Sequence, residues 1–160
     1  MERKLALAKH LGLDVIEFNG VFYTGATLKD FNEFSGANYE DIEDVDMDNK
    51  QFINWLNESC GDLDLEINEE YGDNIFGYNG EEYLVVTDDE ADDLWEAELD
   101  NYIDEIILPE LNERYRMYFD NEAWKNDARG DGRAHSLNHY DGNEDTETVD
   151  NETFYIYRQN

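Results

Sequence analysis

Two acidic segments of the chain have part of the spacing of a calcium-binding EF-hand loop. In the first, Asp44, Asp46 and Asp48 fit ligand positions 1, 3 and 5 of such a loop. Asn49 stands at position 6, where the sharp turn needs glycine, and Trp55 stands at position 12, where a glutamate should bind the ion. This segment therefore does not predict a calcium site.

The second segment is closer to the loop pattern. Asp141, Asn143, Asp145 and Glu152 stand at positions 1, 3, 5 and 12. Thr146 occupies the glycine position, and the residues that follow Glu152 alternate like a strand, whereas an EF-hand continues as a helix. In a chain with 42 acidic residues, partial matches of this kind arise by chance. The sequence leaves calcium binding open here, and we expect no metal site.

Two histidines offer a different kind of metal site. His135 and His139 are four residues apart, so a helix would place both imidazoles on one face, and Asp131 and Asp141 flank them. Such a set could hold zinc or manganese. The surrounding segment is rich in turn-forming residues, however, which argues against a helix. We expect Arg129, Arg133 and the histidines to pair with nearby carboxylates and to fix this loop.

Catalytic motifs are missing from the sequence. Cys60 has no histidine near it in sequence that could activate it as a nucleophile. The chain has no HExxH, CxxC or Gly-Lys-Ser/Thr motif, and it has no glycine-rich phosphate loop. Carboxylate pairs can be drawn anywhere in so acidic a chain, so none indicates acid–base catalysis. We expect a protein that is not an enzyme and that needs no cofactor.

The distribution of charge is the strongest signal in the sequence. The formal net charge is −31, and residues 36–113 contain 27 acidic residues and one basic residue, Lys50. Residues 1–35 and 114–160 are close to neutral by comparison. B-form DNA carries one negative charge per roughly 1.7 Å of its axis, so 26 net charges correspond to about 44 Å of duplex. A folded surface of this kind would resemble DNA to a basic protein.

Disorder and salt adaptation are the competing explanations of the charge. The apolar fraction of 40% and the aromatic fraction of 14% are high for a disordered chain, and there is only one proline. Salt adaptation or simple solubility would not confine the excess charge to the middle of the chain. A folded protein that accepts this self-repulsion has a use for the charge. Basic proteins are the expected partners, and direct nucleic-acid or membrane binding is not expected.

The length predicts one domain of residues 1–160, which can comprise two small lobes. These would be a near-neutral helix–hairpin lobe of residues 1–36 and an acidic α+β lobe of residues 37–160. The single cysteine suits the reducing cytoplasm. The N-terminal segment is predicted to form a short amphipathic helix and does not fit a signal peptide, because Lys9 and His10 interrupt its apolar run. We therefore expect a cytoplasmic protein.

Two similar units lie 60 residues apart. Asn19-Gly20 and Asn79-Gly80 are each flanked by β-favouring residues, which predicts hairpins with two-residue turns. In each unit a threonine then precedes an acidic residue by three positions, a helix-start pattern, at Thr27 and at Thr87. Each unit is thus a hairpin followed by a helix, whether or not the two arose by duplication.

Periodicity predicts the remaining elements. Helices are expected around Trp55, over residues 88–108 with a break at Pro109, and over residues 111–125 with three aromatic side chains inward, Tyr115, Tyr118 and Phe119. Strands are expected where apolar residues alternate, at Leu63, Leu65 and Ile67 and at residues 153–157. The predicted fold class is α+β, a small antiparallel sheet built from hairpins with helices packed on one side.

The C-terminal half resembles a group of small acidic phage proteins, most of them uncharacterised. The resemblance is carried by residues 83–91 and 119–142, which contain Thr-Asp-Asp-Glu-Ala, Asp-Gly-Arg-Ala-His and Tyr-Asp-Gly. Ala134 stands where the group usually has glycine. Residues 119–127 alone are also weakly similar to antirestriction proteins of the ArdA type, which are acidic DNA mimics. The first resemblance implies a phage or prophage origin, and neither implies an enzymatic activity.

These observations favour a DNA mimic from a phage or mobile element, an anti-CRISPR or antirestriction protein. Its acidic surface would compete with DNA for the basic groove of a host defence enzyme, a Cas nuclease or a restriction–modification enzyme. The contact surface is expected on the helix of residues 88–104 and on residues 40–48. The candidate residues are Asp89, Asp92, Asp93, Glu96, Asp100 and Asp104 on the helix, and Glu40, Asp41, Glu43, Asp44, Asp46 and Asp48 before it.

On this hypothesis the helix residues form an outward acidic ridge. Replacing Asp92, Asp93, Glu96 and Asp100 by lysine should then abolish target binding and leave the fold intact. Two alternatives remain: an interaction module that binds a host factor through aromatic surface, and a calcium-binding protein. A hairpin edge or an aromatic strand could also pair two copies into a homodimer.

Overall fold

The computed structural model describes all 160 residues. The helices are α1 (Glu2–His10), α2 (Leu28–Ser35), α3 (Lys50–Ser59), α4 (Leu63–Glu66), α5 (Asp88–Tyr102), α6 (Leu108–Glu110), α7 (Glu113–Arg116), α8 (Asn121–Arg129) and α9 (Arg133–Leu137). The strands are β1 (Val15–Phe18), β2 (Val21–Thr24), β3 (Gly61–Asp62), β4 (Asn68–Glu69), β5 (Ile75–Tyr78), β6 (Glu81–Val86), β7 (Asp145–Val149) and β8 (Glu152–Arg158). No helix combines the length and the apolar character that a membrane crossing requires.

The strands form two antiparallel sheets, which confirms the predicted α+β class. One sheet has three strands in the order β1-β2-β3, and the other has five in the order β4-β5-β6-β8-β7. The prediction of a single small sheet was wrong in this respect. The first sheet ends at the two-residue strand β3, which pairs with β2 and with no strand of the second sheet. In the second sheet β6 pairs with β8, which comes from the far end of the chain.

Helices cover both faces of the five-stranded sheet, whereas the sequence predicted helices on one side. Successive side chains of a strand point to opposite faces. Val85 and Ile156 therefore pack with Leu7 of α1, and Val86 and Tyr157 pack with helix residues of the other face. Those residues are Ala91 of α5 and Leu137 of α9. The strands β6 and β8 carry apolar side chains on both of their faces. A strand with one face exposed to solvent would carry them on the other face only.

Both predicted hairpins and both predicted helix starts are confirmed. Asn19 and Asn79 have φ of 54° and 50°, and the glycines that follow are also left-handed, as a two-residue hairpin turn of this type requires. The Thr27 side chain accepts a hydrogen bond from the Asp30 amide, and the Asp30 carboxylate accepts one from the Thr27 amide. Thr87 begins α5 in the same way. Local sequence alone determines these features.

The three-stranded sheet has a hydrophobic core of its own. Its centre is an aromatic cluster in which the ring of Phe52 lies 4.8 Å from those of Phe18 and Phe31 and 5.8 Å from that of Trp55. This core contains residues from Ile16 to Leu56, so the predicted lobe boundary at residue 36 lies within it. Helix α1, which was assigned to the N-terminal lobe, packs on the five-stranded sheet instead. We call residues 14–62 the acidic lobe; it replaces the predicted lobes of residues 1–36 and 37–160.

The predicted strand at Leu63, Leu65 and Ile67 is instead the short helix α4. Leu63 and Ile67 are fully buried, and Leu65 is 72% exposed. The two buried side chains are four residues apart. This spacing fits one turn of a helix, and it also fits the alternation of a strand. The Asp62 side chain accepts a hydrogen bond from the Asp64 amide and begins the helix.

The predicted helix of residues 111–125 is also wrong in part. Helices α7 and α8 are separated by residues 117–120, and Tyr115 and Tyr118 are 55% and 76% exposed instead of inward. The predicted break at Pro109 takes the form of a π-helical turn at Ile103–Ile107 followed by the short α6. Proline has no amide hydrogen and its ring clashes with the carbonyl four residues earlier, so the regular hydrogen-bond ladder cannot continue there.

The ion pair between Arg3 and Glu90 joins α1 to the first turn of α5. The two nitrogens of the guanidinium lie 2.8 Å and 3.0 Å from the two carboxylate oxygens. Burial alone would raise the pKa of Glu90, but hydrogen bonds from Arg3 and Thr87 outweigh it and lower the pKa from 4.5 to about 2. A carboxyl group with a lowered folded pKa stabilises the fold above its unfolded pKa.

Replacing Glu90 by glutamine should therefore destabilise the protein at pH 7 and have less effect in acid. The pKa shift corresponds to about 3 kcal/mol, which we reduce to about 1–2 kcal/mol because the side chain is 35% exposed and solvent screens the pair. The difference should shrink as the pH falls from 4.5 towards 2. Urea unfolding at several pH values measures it. Asp93→Asn on the same helix is the control, since Asp93 is exposed, and a loss of similar size and pH dependence there would contradict the prediction.

Candidate functional site

The ion pairs divide the surface into two parts. Seven of the eleven basic residues form ion pairs, and these involve ten of the 42 acidic residues, which leaves 32 without one. The ten are Asp64, Glu81, Asp88, Glu90, Asp92, Glu96, Asp100, Glu122, Glu144 and Glu147. None of them belongs to the acidic lobe.

Three residues of the predicted acidic ridge on α5 form ion pairs with other helices, although their side chains stay 45–58% exposed. Asp92 lies 2.8 Å from a guanidinium nitrogen of Arg133. The two residues that follow it on the ridge, Glu96 and Asp100, pair with Arg129 and Lys125 of α8. The hydrogen bond from Arg129 lowers the pKa of Glu96. This side of α5 therefore lies beside α8 and α9, and its carboxylates are paired with cations of the same chain, which the prediction of a free acidic ridge did not include.

The remaining predicted residues of the helix, Asp89, Asp93 and Asp104, are exposed and have no ion pair. They lie on the outer side of α5 and the π-helical turn. The fourfold replacement by lysine considered above would place positive side chains beside Arg133, Arg129 and Lys125. It would therefore destabilise the fold as well as change the surface, and it cannot test binding alone.

Arg133 is the centre of the ion-pair network. Its guanidinium lies 2.7–2.8 Å from carboxylate oxygens of Asp88, Asp92 and Glu144, and its side chain is only 13% exposed. Glu144 also accepts a hydrogen bond from the buried Tyr157 hydroxyl. Burial and this carboxylate together raise the pKa of Tyr157. The predicted pairing of Arg129 and Arg133 with carboxylates is thus confirmed, whereas His135 and His139 form no ion pair.

The second predicted segment, residues 40–48, keeps all its carboxylates at the surface. We call it the acidic loop. Its six acidic side chains are exposed and form no ion pair: Glu40, Asp41, Glu43, Asp44, Asp46 and Asp48. The loop is attached to the aromatic core, because Val45 is buried there and packs with Ile42. Asn19 of the first hairpin also donates a hydrogen bond to the Met47 carbonyl at 3.1 Å.

The whole acidic lobe, like the acidic loop within it, lacks ion pairs. It contains twelve acidic residues and two basic ones, Lys29 and Lys50, and none of these fourteen forms an ion pair. Six of the acids were not among the predicted contact residues: Glu58, Asp62 and, within residues 1–35, Asp14, Glu17, Asp30 and Glu33. Residues 1–35 counted as near-neutral because Arg3, Lys4 and Lys9 offset these acids. In the folded protein these three bases belong to α1, where they pair with Glu90, Asp64 and Glu147.

The candidate metal ligands are not brought together. Asp145 and Glu152 lie at different positions of the β7–β8 hairpin, opposite Ile156 and Val149. Asp141 accepts hydrogen bonds from the Asn143 amide and the Asn138 side chain, and the first of these contributes most to its lowered pKa. Nowhere do three histidine, cysteine, aspartate or glutamate side chains approach closely enough to share a metal ion.

Comparison with known proteins adds no assignment. No protein-family model, no curated protein sequence and no solved structure matches this chain. The resemblances to acidic phage proteins and to ArdA-type proteins stay predictions from short motifs.

Replacing Arg133 by methionine should destabilise the protein by about 1–3 kcal/mol, because three carboxylates would be left close together without a cation. The loss should decrease when salt is added, since ions screen the repulsion among these partly exposed groups. Urea unfolding at low and high salt measures both effects. Lys50→Met also removes one positive charge but breaks no ion pair, so an equal loss in that variant would contradict the assignment.

Proposed function

We propose that this chain is a DNA mimic that acts without catalysis. Its acidic lobe would occupy the basic nucleic-acid-binding groove of a host defence enzyme, such as a Cas nuclease or a restriction–modification enzyme, in the host cytoplasm. The protein would serve a phage or another mobile element. The observation that carries the proposal is the acidic lobe with its twelve acids, two lysines and no ion pair.

The carboxylates of the acidic lobe can bind a partner without breaking an ion pair inside the protein. Carboxylates such as Asp92 and Glu96 would have to give up Arg133 and Arg129 before they could bind another protein. Those of the acidic loop have no such partner to give up. They can replace DNA phosphates against lysine and arginine side chains, which prefer charged oxygen acceptors. The site of contact therefore moves from the ridge on α5 to the acidic lobe.

The scaffold of the acidic loop supports the same use. Ile42 and Val45 fix the loop on the aromatic core, and reciprocal hydrogen bonds between Asp41 and Asp44 begin its short 3-10 helix. A loop that is held in place loses less conformational entropy on binding. The negative electrostatic field of the acidic lobe would also accelerate its encounter with a basic groove, and this acceleration weakens in salt.

A second candidate function rests on exposed aromatic surface. Tyr115, Met117 and Tyr118 are 55%, 79% and 76% exposed. They lie beside Arg114 and Arg116, two of the four basic residues that form no ion pair. Tyrosine, methionine and arginine are enriched in protein–protein interfaces. This segment could bind a host factor without mimicry of DNA, and such binding would depend little on salt.

A matched pair of variants tests the mimic. The loop variant combines Glu40→Gln, Glu43→Gln, Asp46→Asn and Asp48→Asn, whose side chains make no hydrogen bond or ion pair. The control variant combines Asp131→Asn, Asp145→Asn, Asp150→Asn and Glu152→Gln, which are exposed and lie outside the acidic lobe. Both change the net charge by the same four units. The loop variant should compete with duplex DNA for a defence enzyme at least roughly tenfold less well, and the control should compete like the original chain.

The measurement is a DNA mobility-shift competition against purified Cas nucleases and restriction–modification enzymes at low and moderate salt. Competition by the original chain should weaken as salt rises. Equal losses in the two variants would show that only net charge matters and would contradict a defined contact surface. If binding persists in salt and is lost instead in a Tyr115→Ser, Tyr118→Ser variant, the aromatic surface is the binding site.

A further inference from the structure

Strand β1 has one edge that no other strand covers. It lies at the end of the three-stranded sheet and pairs only with β2, with Val15 opposite Thr24 and Glu17 opposite Phe22. The Gly25 amide donates to the Asp14 carbonyl, so the hydrogen-bonded positions toward β2 are residues 14, 16 and 18. The amide and carbonyl groups of Val15 and Glu17 therefore point away from β2, toward the free edge.

A groove of about 520 Å³ runs along β1. Ile16, Leu28 and Ile42 contribute apolar surface to it, and its acidic lining residues are Asp14, Glu17 and Glu43. No basic residue lines the groove. The acidic loop adjoins it through Ile42 and Glu43. The groove thus combines unpaired backbone groups, apolar walls and a negatively charged rim.

We propose that the β1 edge binds an extended, basic segment of a partner protein by strand addition. The segment would pair with the amide and carbonyl groups of Val15 and Glu17, and such main-chain bonds are the usual source of affinity in this mode of recognition. Its alternate side chains would fill the apolar groove and meet the acidic rim. The inference rests on the proposed function only for the basic character of the partner, and it adds a defined docking mode to the charge.

A second copy of this chain is a poor occupant of the edge. Pairing two β1 edges would bring Glu17, Asp14 and the acidic loops of both copies together, and like charges placed opposite each other are unfavourable in a sheet. Charged residues on a short edge strand are a common means of preventing pairing between copies. The same carboxylates attract a lysine- or arginine-rich strand.

Amide hydrogen exchange with a defined probe tests the proposal. The probe is a capped peptide that alternates lysine and valine over six residues, added to isotope-labelled full-length protein. Exchange of the Val15 and Glu17 amides should slow by roughly tenfold or more on binding, because each gains a hydrogen-bond partner. The Ile16 and Phe18 amides, which already bond to β2, should change little and serve as the internal control.

Backbone methylation of the probe separates strand addition from charge attraction. Two versions methylated at alternate nitrogens keep every positive charge, but one of them loses the amide hydrogens that face β1. That version should lose the protection of Val15 and Glu17. A peptide that binds without protecting these amides, or whose two methylated versions behave alike, overturns strand addition and leaves the charge-based function standing. No binding at about 1 mM peptide also overturns it.

A pair of variants at Glu17 gives a second measurement. Glu17→Pro removes the amide hydrogen on the free edge without breaking a bond to β2, and proline is tolerated at such edges. Glu17→Gln removes the same charge and keeps the amide. Glu17→Pro should weaken binding of the probe roughly tenfold more than Glu17→Gln does. Equal effects would contradict the proposal, and thermal melts of both variants show whether the fold is kept.

Discussion

The placement of eleven basic residues among 42 acidic ones is the constraint on which the rest of the structure depends. A protein with this imbalance repels itself, so every cation can stabilise only one region. Seven cations form ion pairs that join α1, α4, α5, α8 and α9 to one another and to the five-stranded sheet and its loops. The acidic lobe receives none of these pairs and relies on its aromatic core. The larger part of the molecule is thus held by ion pairs as well as by apolar packing and hydrogen bonds, and the smaller part by apolar packing and hydrogen bonds without ion pairs.

The local features of the fold could be predicted from the sequence. Asn-Gly turns and threonine caps act within four residues, so both hairpins and the starts of α2 and α5 followed directly. The predictions that failed concern choices that neighbours decide. Leu63 and Ile67 fit a helix or a strand equally well until the surrounding core selects one. Tyr115 and Tyr118 have the spacing of a buried face, but no element covers them.

The candidate surface was only half predictable for a related reason. The acidic loop was identified correctly as exposed because no base lies near it in sequence except Lys50. The ion pairs of the ridge on α5 were not predicted, because its cations come from residues 125–133, more than twenty positions later. The acids of residues 14–33 were overlooked because their apparent counter-charges in α1 pack against the other sheet. Charge counted along a sequence window misleads wherever the fold separates neighbours or joins distant segments.

The position of the acidic lobe in the chain gives it a modular character. The chain leaves α1 at residues 11–13, completes the lobe and returns through β3 to α4, whose Leu63 packs in the same core as α1. The entry and exit strands, β1 and β3, lie on either side of β2, so they are about 10 Å apart. A segment whose ends are so close can be inserted into or exchanged within a host scaffold. Residues 14–62 could therefore be exchanged for another segment while the ion pairs of the rest of the molecule stay unchanged.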